Sequence, residues 1–294
     1  MVRFDRLLVA IVALVLAAAL FVACGDDDVE PGSSSTPTVD DSSPAASPSP
    51  DETAPAETVE LEVWFTQDGD LFLTHRRVPK TQGVGKVALE ELFAGPSEIE
   101  ADVDVVSVVP EGTELLGLSI SGGVATVDLT SDYESGGGSA SMFARLSQVV
   151  YTLTQFPTVD GVLFQLDGEP VETFSGEGIV LEGPQTRKDY ADQLPAIVVE
   201  EPGTGDEVDS PLTISGTANT FEATVEMRLV TPDGEELAHR FTTATCGTGC
   251  RGDYETTLKF EVSEPTEAIL EVYESSAEDG SPIHVERVPV TLVP

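Results

Sequence analysis

Apolar and polar residues alternate from Val59 to Phe65 and again from Leu71 to Val78, with Gln67-Asp68-Gly69-Asp70 between them. That spacing predicts a β-hairpin. The period then changes. Val84, Val87, Ala88, Leu89, Leu92 and Phe93 recur at helical intervals until Gly95-Pro96, the residues that end a helix. Gly83-Val84-Gly85-Lys86 at the front of this run is too short for a phosphate loop and reads as the helix start. Alternation returns in Leu115–Ile120 and Val124–Leu129 around the turn Ser121-Gly122-Gly123. Gly136-Gly137-Gly138 then leads into a second helix with Met142, Leu146, Val149, Val150 and Leu153 on its apolar face, closed by Phe156-Pro157. A third hairpin runs from Gly161 to Asp167 and returns through Val171. Hairpins interleaved with two helices predict a two-layer α+β domain over 59–190, its helices on one face of a sheet.

Beyond Arg187-Lys188-Asp189-Tyr190 a short polar link reaches Pro195, and the pattern becomes purely two-periodic. Seven runs follow: 197–199, 212–218, 225–230, 237–243, 254–262, 269–273 and 285–292. Turn residues such as Asp233-Gly234 and Asp279-Gly280 separate them. Seven strands in about 100 residues, with no helical run, predict an all-β immunoglobulin-like sandwich over 195–294.

The front of the chain has neither period. Arg3 and Arg6 precede an uncharged apolar stretch from Leu7 to Ala23, the shape of an export signal over residues 1–23. Its end, Phe21-Val22-Ala23-Cys24, resembles a lipobox, which makes Cys24 the expected lipidation (palmitate) site and the protein a membrane-anchored lipoprotein. An uncleaved anchor is the competing reading, at the short end of the roughly 17–25 residues a span requires. Both place the remainder outside the membrane. Residues 24–58 are rich in Asp, Ser, Pro and Thr and hold no base, which predicts a disordered, self-repelling acidic tether. Proteolysis is expected to cut first there and next near 186–196.

The whole chain carries 53 Asp and Glu against 14 Lys and Arg, a formal charge of −39. With no run of bases to neutralise phosphates, nucleic acid is excluded as a partner. Solubility, a salty medium or a basic partner would each account for the acidity.

Four blocks of the first domain carry a resemblance: 88–96 (ALEELFAGP), 109–113 (VPEGT), 123–129 (GVATVDL) and 149–157 (VVYTLTQFP). In this order they resemble the GerM-type (GerMN) domain of sporulation and germination proteins and envelope lipoproteins. Residues 211–225 (PLTISGTANTFEATV) and 274–280 (ESSAEDG) resemble the immunoglobulin-like domain that accompanies it in bacterial spore-germination proteins. The resemblance implies a fold related to ring-building modules of secretion-like assemblies and a role in protein–protein contact. It brings no catalytic residues. Within 211–225, Phe221-Glu222-Ala223 is expected to place a buried aromatic beside a solvated carboxylate, with a ligand contact as the competing reading.

Candidate chemistry is sparse. Once Cys24 is assigned to the lipobox, Cys246 and Cys250 remain, and in an oxidising exterior a local disulfide is expected. A zinc site would need His239 and His284 as further ligands. His75, His239 and His284 each fall in a predicted strand and read as surface or edge residues. Glu200, Glu201, Asp206, Glu207 and Asp209 could form a calcium loop, although a solvated acidic loop accounts for them more simply. No nucleophile elbow, Walker loop, dinucleotide fingerprint or paired-His helix occurs, so no catalytic, cofactor or metal residue is assigned. The expected function is a non-catalytic, membrane-tethered interaction module docking on another envelope protein, or assembling with itself, in a sporulation, germination or envelope complex. The alternative is a lipoprotein that binds a cell-wall sugar or peptide, against which stand an aromatic content of only 6% and a single tryptophan, Trp64, inside a predicted core strand.

Overall fold

The structure is a computed structural model that describes residues 57–294, all within one compact unit, Thr53–Pro294. The predicted signal segment, Cys24 and all but the last two residues of the predicted tether lie outside the described residues.

The first hairpin forms as the alternation requires. Strands β1 (Thr58–Gln67) and β2 (Asp70–Pro79) pair with Phe65 opposite Phe72, and the turn residues Asp68 and Gly69 both take positive φ, 53° and 99°. Helix α1 (Val84–Ala94) buries Ala88, Leu89 and Leu92 and stops at Gly95, whose φ of 85° continues no helix. The short α2 (Glu98–Ala101) leads to β3 (Val105–Val106), which pairs with the last two residues of β1. Strands β4 (Leu115–Ser121) and β5 (Val124–Leu129) make the second hairpin. Helix α3 (Ser139–Leu153) crosses over to β6 (Gly161–Leu166), which pairs parallel to β5. The third hairpin has a return strand of only two residues, β7 (Glu169–Pro170), followed by the small pair β8 (Thr173–Phe174) and β9 (Ile179–Val180).

These strands belong to separate sheets, β2-β1-β3, β4-β5-β6-β7 and the pair β8-β9, rather than to the single layer that the hairpin pattern predicts. The reason lies in α3. β3 covers only the end of β1, and side chains of α3 bond the exposed backbone beyond it. Thr152 Oγ1 accepts from the Trp64 N–H at 3.1 Å, Gln148 Nε2 donates to the Trp64 carbonyl at 3.0 Å, and Gln155, just past the helix, bonds both the N–H and the carbonyl of Glu62. Spaced 148, 152 and 155, these residues form one stripe that substitutes for a neighbouring strand. The apolar face of the same helix packs into a continuous core with Phe65, Leu71, Val127, Leu129 and Phe164.

Thr186 opens a 3-10 turn, Arg187–Gln193, in which Tyr190 is buried and its hydroxyl lies 2.9 Å from Gln185 Oε1. The segment that reads as a polar link is therefore packed structure. After it come β10 (Ile197–Glu201), the two-residue β11 (Glu207–Val208), β12 (Leu212–Ala218), β13 (Thr224–Val230), β14 (Glu236–Thr243), β15 (Gly252–Leu258), β16 (Thr266–Ser275) and β17 (Pro282–Leu292). All seven predicted strands are present. They form a sandwich of β10-β12-β15 against β11-β17-β16-β13-β14, with Ile214, Met227, Leu229, Leu270 and Val272 fully buried between the sheets.

Candidate functional site

Strand β10 joins the two domains by its alternation. Ile197 and Val199 belong to the sandwich core, whereas Val198 points the other way and is buried in the core of the first domain. Around it the domains form a seam. Arg187 lies 5.7 Å from the Trp64 ring centroid and 4.9 Å from that of Tyr151, while Nε donates to Thr154 Oγ1 at 2.8 Å and Nη2 donates to both the Tyr151 carbonyl and Glu62. Arg251 donates to the carbonyls of Pro195 and Thr217, and burial pulls its pKa down. The crevice they enclose has a volume of about 370 Å³. Trp64 and Tyr151 are each only 3% exposed, so neither offers an aromatic platform to a sugar.

The hairpin turn of the first domain meets β17 on another side of the seam. Arg287 lies 3.6 Å from Asp68, and its backbone N–H donates to Gln67 Oε1 at 3.4 Å. Its neighbour Glu286 is buried, and burial pushes that carboxyl well above the ordinary range. Asp70 and Asp68 push it further, while Arg251 and Arg287 pull the other way. Burial also raises Asp70, with His284 opposing and Asp68 reinforcing the shift. These carboxylates come together because the acidic turn of the hairpin, with Asp68 and Asp70, docks beside Glu286 of β17. No reaction is implied by their position.

The predicted acidic loop does not assemble a cation cage. Asp206 accepts the Gly203 N–H at 2.9 Å and lies 3.7 Å from Arg77, across the seam. No three His, Cys, Asp or Glu side chains converge on a common metal position among the described residues, and Glu200, Glu201, Glu207 and Asp209 are no exception. Burial raises the Glu200 carboxyl, helped by Glu62 and Asp253.

Cys246 and Cys250 are joined in a disulfide with Cα atoms 5.7 Å apart, which removes the zinc alternative. His239 and His284 are engaged elsewhere, His239 with Glu226 and His284 with Glu274, each at 3.1 Å. His75 lines the seam beside Arg77.

One expectation is reversed. Phe221 is 56% exposed rather than buried. Residues Phe221–Ala223 form a 3-10 turn in which Glu222 and Ala223 have φ of 54° and 57°. The disulfide loop holds that turn from beneath. Thr248 Oγ1 accepts the Glu222 N–H at 2.9 Å, and Gly247 lies so close that a Cβ there would come within 2.5 Å of the Ala223 backbone. Glu274 Oε1 accepts the Phe221 N–H at 2.9 Å. The glycines of Cys246-Gly247-Thr248-Gly249-Cys250 were the available signal, because Gly247 marks a close backbone approach and Gly249 a φ of 99°.

Residues 49–172 match the family model described as sporulation and spore germination (Germane), and residues 196–281 match the immunoglobulin-like domain of bacterial spore germination (Gmad2). Among solved structures, the chain is similar to the first GerMN domain of the sporulation protein GerM from Bacillus subtilis, at 23% identity and a TM-score of 0.40, covering 45% of this chain and 100% of that one. It is also similar to the tandem GerMN domains of the same protein, at 18% identity and a TM-score of 0.42, covering 71% of this chain and 64% of that one. No curated protein matches. In order along the chain, the two domains thus match a sporulation and spore germination domain model and the model of the immunoglobulin-like domain of bacterial spore germination.

Proposed function

We propose that this protein is a non-catalytic interaction module, held at the outer face of the bacterial membrane by a lipid on Cys24, which docks onto another envelope protein in a sporulation, germination or cell-envelope complex. One observation carries the reading. The polar side chains that stand out as candidate chemistry are occupied in joining strands, turns and domains, whereas large apolar side chains stand at the surface: Phe241 is 65% exposed, Val180 64% and Phe221 56%. Apolar surface of this kind gains by burial against a partner.

In-cell crosslinking of the full-length tagged protein, followed by mass spectrometry, tests the proposal, with Cys24→Ala as the unanchored control. A dominant envelope partner that disappears in the control is the expected result, together with loss of the protein from the membrane fraction. Crosslinks to nothing, or an unchanged membrane fraction in Cys24→Ala, would overturn the docking and anchoring parts respectively.

A further inference from the structure

Strand edges present unpaired N–H and carbonyl groups, and proteins guard them with charge, proline or shortness. Among the described residues, the edge strands follow the rule with one exception. Edge strands β3, β7, β8, β9 and β11 are two residues long, β2 carries Arg76 and Arg77, β10 ends in Glu200-Glu201, β14 holds Glu236, His239 and Arg240, and β15 holds Asp253 and Glu255. β4 is a seven-residue edge strand, Leu-Leu-Gly-Leu-Ser-Ile-Ser, with no charged residue and no proline. A register shift between Leu115 and Gly117 interrupts only its first end, so Gly117–Ser121 is a regular, unguarded edge. Leu116 is 50% exposed and Ile120 43%.

A groove of about 500 Å³ lies alongside, lined by Val84, Leu118, Ile120, Phe156 and Pro157. Its rim is acidic. Glu111, Glu114 and Asp132 are exposed near the start of β4, Asp128 stands across from Gly117 on β5, and Asp160 lies against the Gly122-Gly123 turn. Lys86 also lines the groove and is paired with Glu90 at 3.4 Å. The imbalance extends well beyond the rim. From Val105 to Thr186 there are eleven carboxylates and a single base, Arg145, which is 3% exposed and donates to the carbonyls of Val108, Tyr133, Ser135 and Gly136.

We infer that β4 is a docking edge that accepts an extended, Lys- or Arg-bearing segment of another protein as an added strand. Backbone pairing along Gly117–Ser121 would supply the affinity, an apolar side chain entering the groove beside Ile120 would fix the register, and bases at the segment's ends would meet the acidic rim. Charge selects this occupant over the two others at hand. A second copy would bring a second acidic rim against the first, and residues 25–56 of this chain carry acidic residues and no base. This inference rests on the interaction-module reading and adds to it the site and the chemistry of the partner.

The test places a photocrosslinking amino acid at Ser119 or, separately, at Phe241 of the full-length protein in its own membrane, and maps the captured peptide. Support requires that Ser119 capture a strand-length segment with net positive charge. It also requires that the yield fall about tenfold or more when Glu111, Glu114 and Asp132 are replaced by Lys, and partially with Gln, Gln and Asn. These three side chains are exposed, and an unchanged unfolding temperature checks that each variant is folded. Capture of a second copy, of this chain's own residues 25–56, or of a neutral or acidic segment would overturn the inference, as would a yield insensitive to the charge changes. Capture from Phe241 with none from Ser119 would overturn the docking edge and leave the interaction module standing. Capture from neither position would overturn both.

Discussion

Two buried glutamates show how position alone reverses the behaviour of one side chain. Glu100 sits in the capping box of α2, where Arg76 approaches both carboxylate oxygens at 2.7 Å and the Ser97 N–H donates at 2.6 Å. Burial acts to raise its pKa, but the bonds from Arg76, Thr74 and Ser97 and the Arg76 charge outweigh it, and the carboxyl is held below its ordinary 4.5. Its stabilisation is therefore present above the unfolded-state pKa and is lost as pH falls through the folded one. Glu100→Gln should cost about 3 kcal/mol near neutral pH, the size expected when one member of a buried pair is removed, and the deficit should shrink on acidification below the ordinary carboxylate range. Urea unfolding at a series of pH values measures both. Glu286 has the opposite sign. Its carboxyl is raised by burial, and then by Asp70 and Asp68, so its contribution is present below the unfolded-state pKa and is lost as pH rises towards the folded one. Glu286→Gln should accordingly raise the unfolding temperature relative to the parent more at pH 7 than at pH 4. A calorimetric series that found the gain greatest in acid would refute this assignment. Neither glutamate was legible in the sequence, where they are two among 53 acidic residues whose burial only the fold decides.

At the scale of elements, α3 holds the first domain together through bonds as well as packing. Thr152 is fully buried and provides the acceptor for the Trp64 N–H, which no strand reaches. Thr152→Val keeps the shape and removes the acceptor, so it should destabilise the protein by about 1–3 kcal/mol, the cost of an orphaned buried donor, with Thr152→Ser restoring most of the loss. Denaturant midpoints for the three proteins decide the matter, and equal midpoints for Thr152→Val and the parent would mean that the bond contributes nothing. This clamp explains what could and could not be read from the pattern. Alternation locates β1, β2 and all seven sandwich strands within a few residues, because one side of each strand faces a core. It carries no information on which strand lies beside which. The parallel pairing of β5 with β6 and the division into separate sheets depend on long-range partners, and the polar stripe 148, 152, 155 resembles a solvent face until β1 is set against it. The same limit applies to the candidate sites. Cys246–Cys250 was legible because only three residues separate the cysteines, whereas the exposure of Phe221 depends on a turn that the disulfide loop supports from a distance in sequence.

For the whole molecule, the question is whether two sequence domains behave as one body. Their hydrophobic periods differ and a polar segment separates them, which is why a protease-sensitive link near 186–196 is expected from sequence. The fold opposes that expectation. Tyr190 is buried, Arg187 is bonded to Thr154, Tyr151 and Glu62, and Arg251 ties Pro195 to the sandwich, so cleavage there requires local unfolding of the seam. Val198 provides the sharpest test of the coupling, because it stands in the first domain's core while its neighbours Ile197 and Val199 remain in the sandwich. Val198→Asp removes about 1.5–3 kcal/mol of apolar burial and places an unpaired carboxylate in that core, without touching the inward-facing residues of β10. The parent should unfold in a single calorimetric transition. The variant should show two, the sandwich melting near the parent temperature and the first domain below it, with cleavage near 186–196 appearing at the same time. A single transition shifted as a whole would mean that the sandwich cannot stand without its neighbour. Two transitions already present in the parent would mean that the seam, for all its arginines, does not couple the domains.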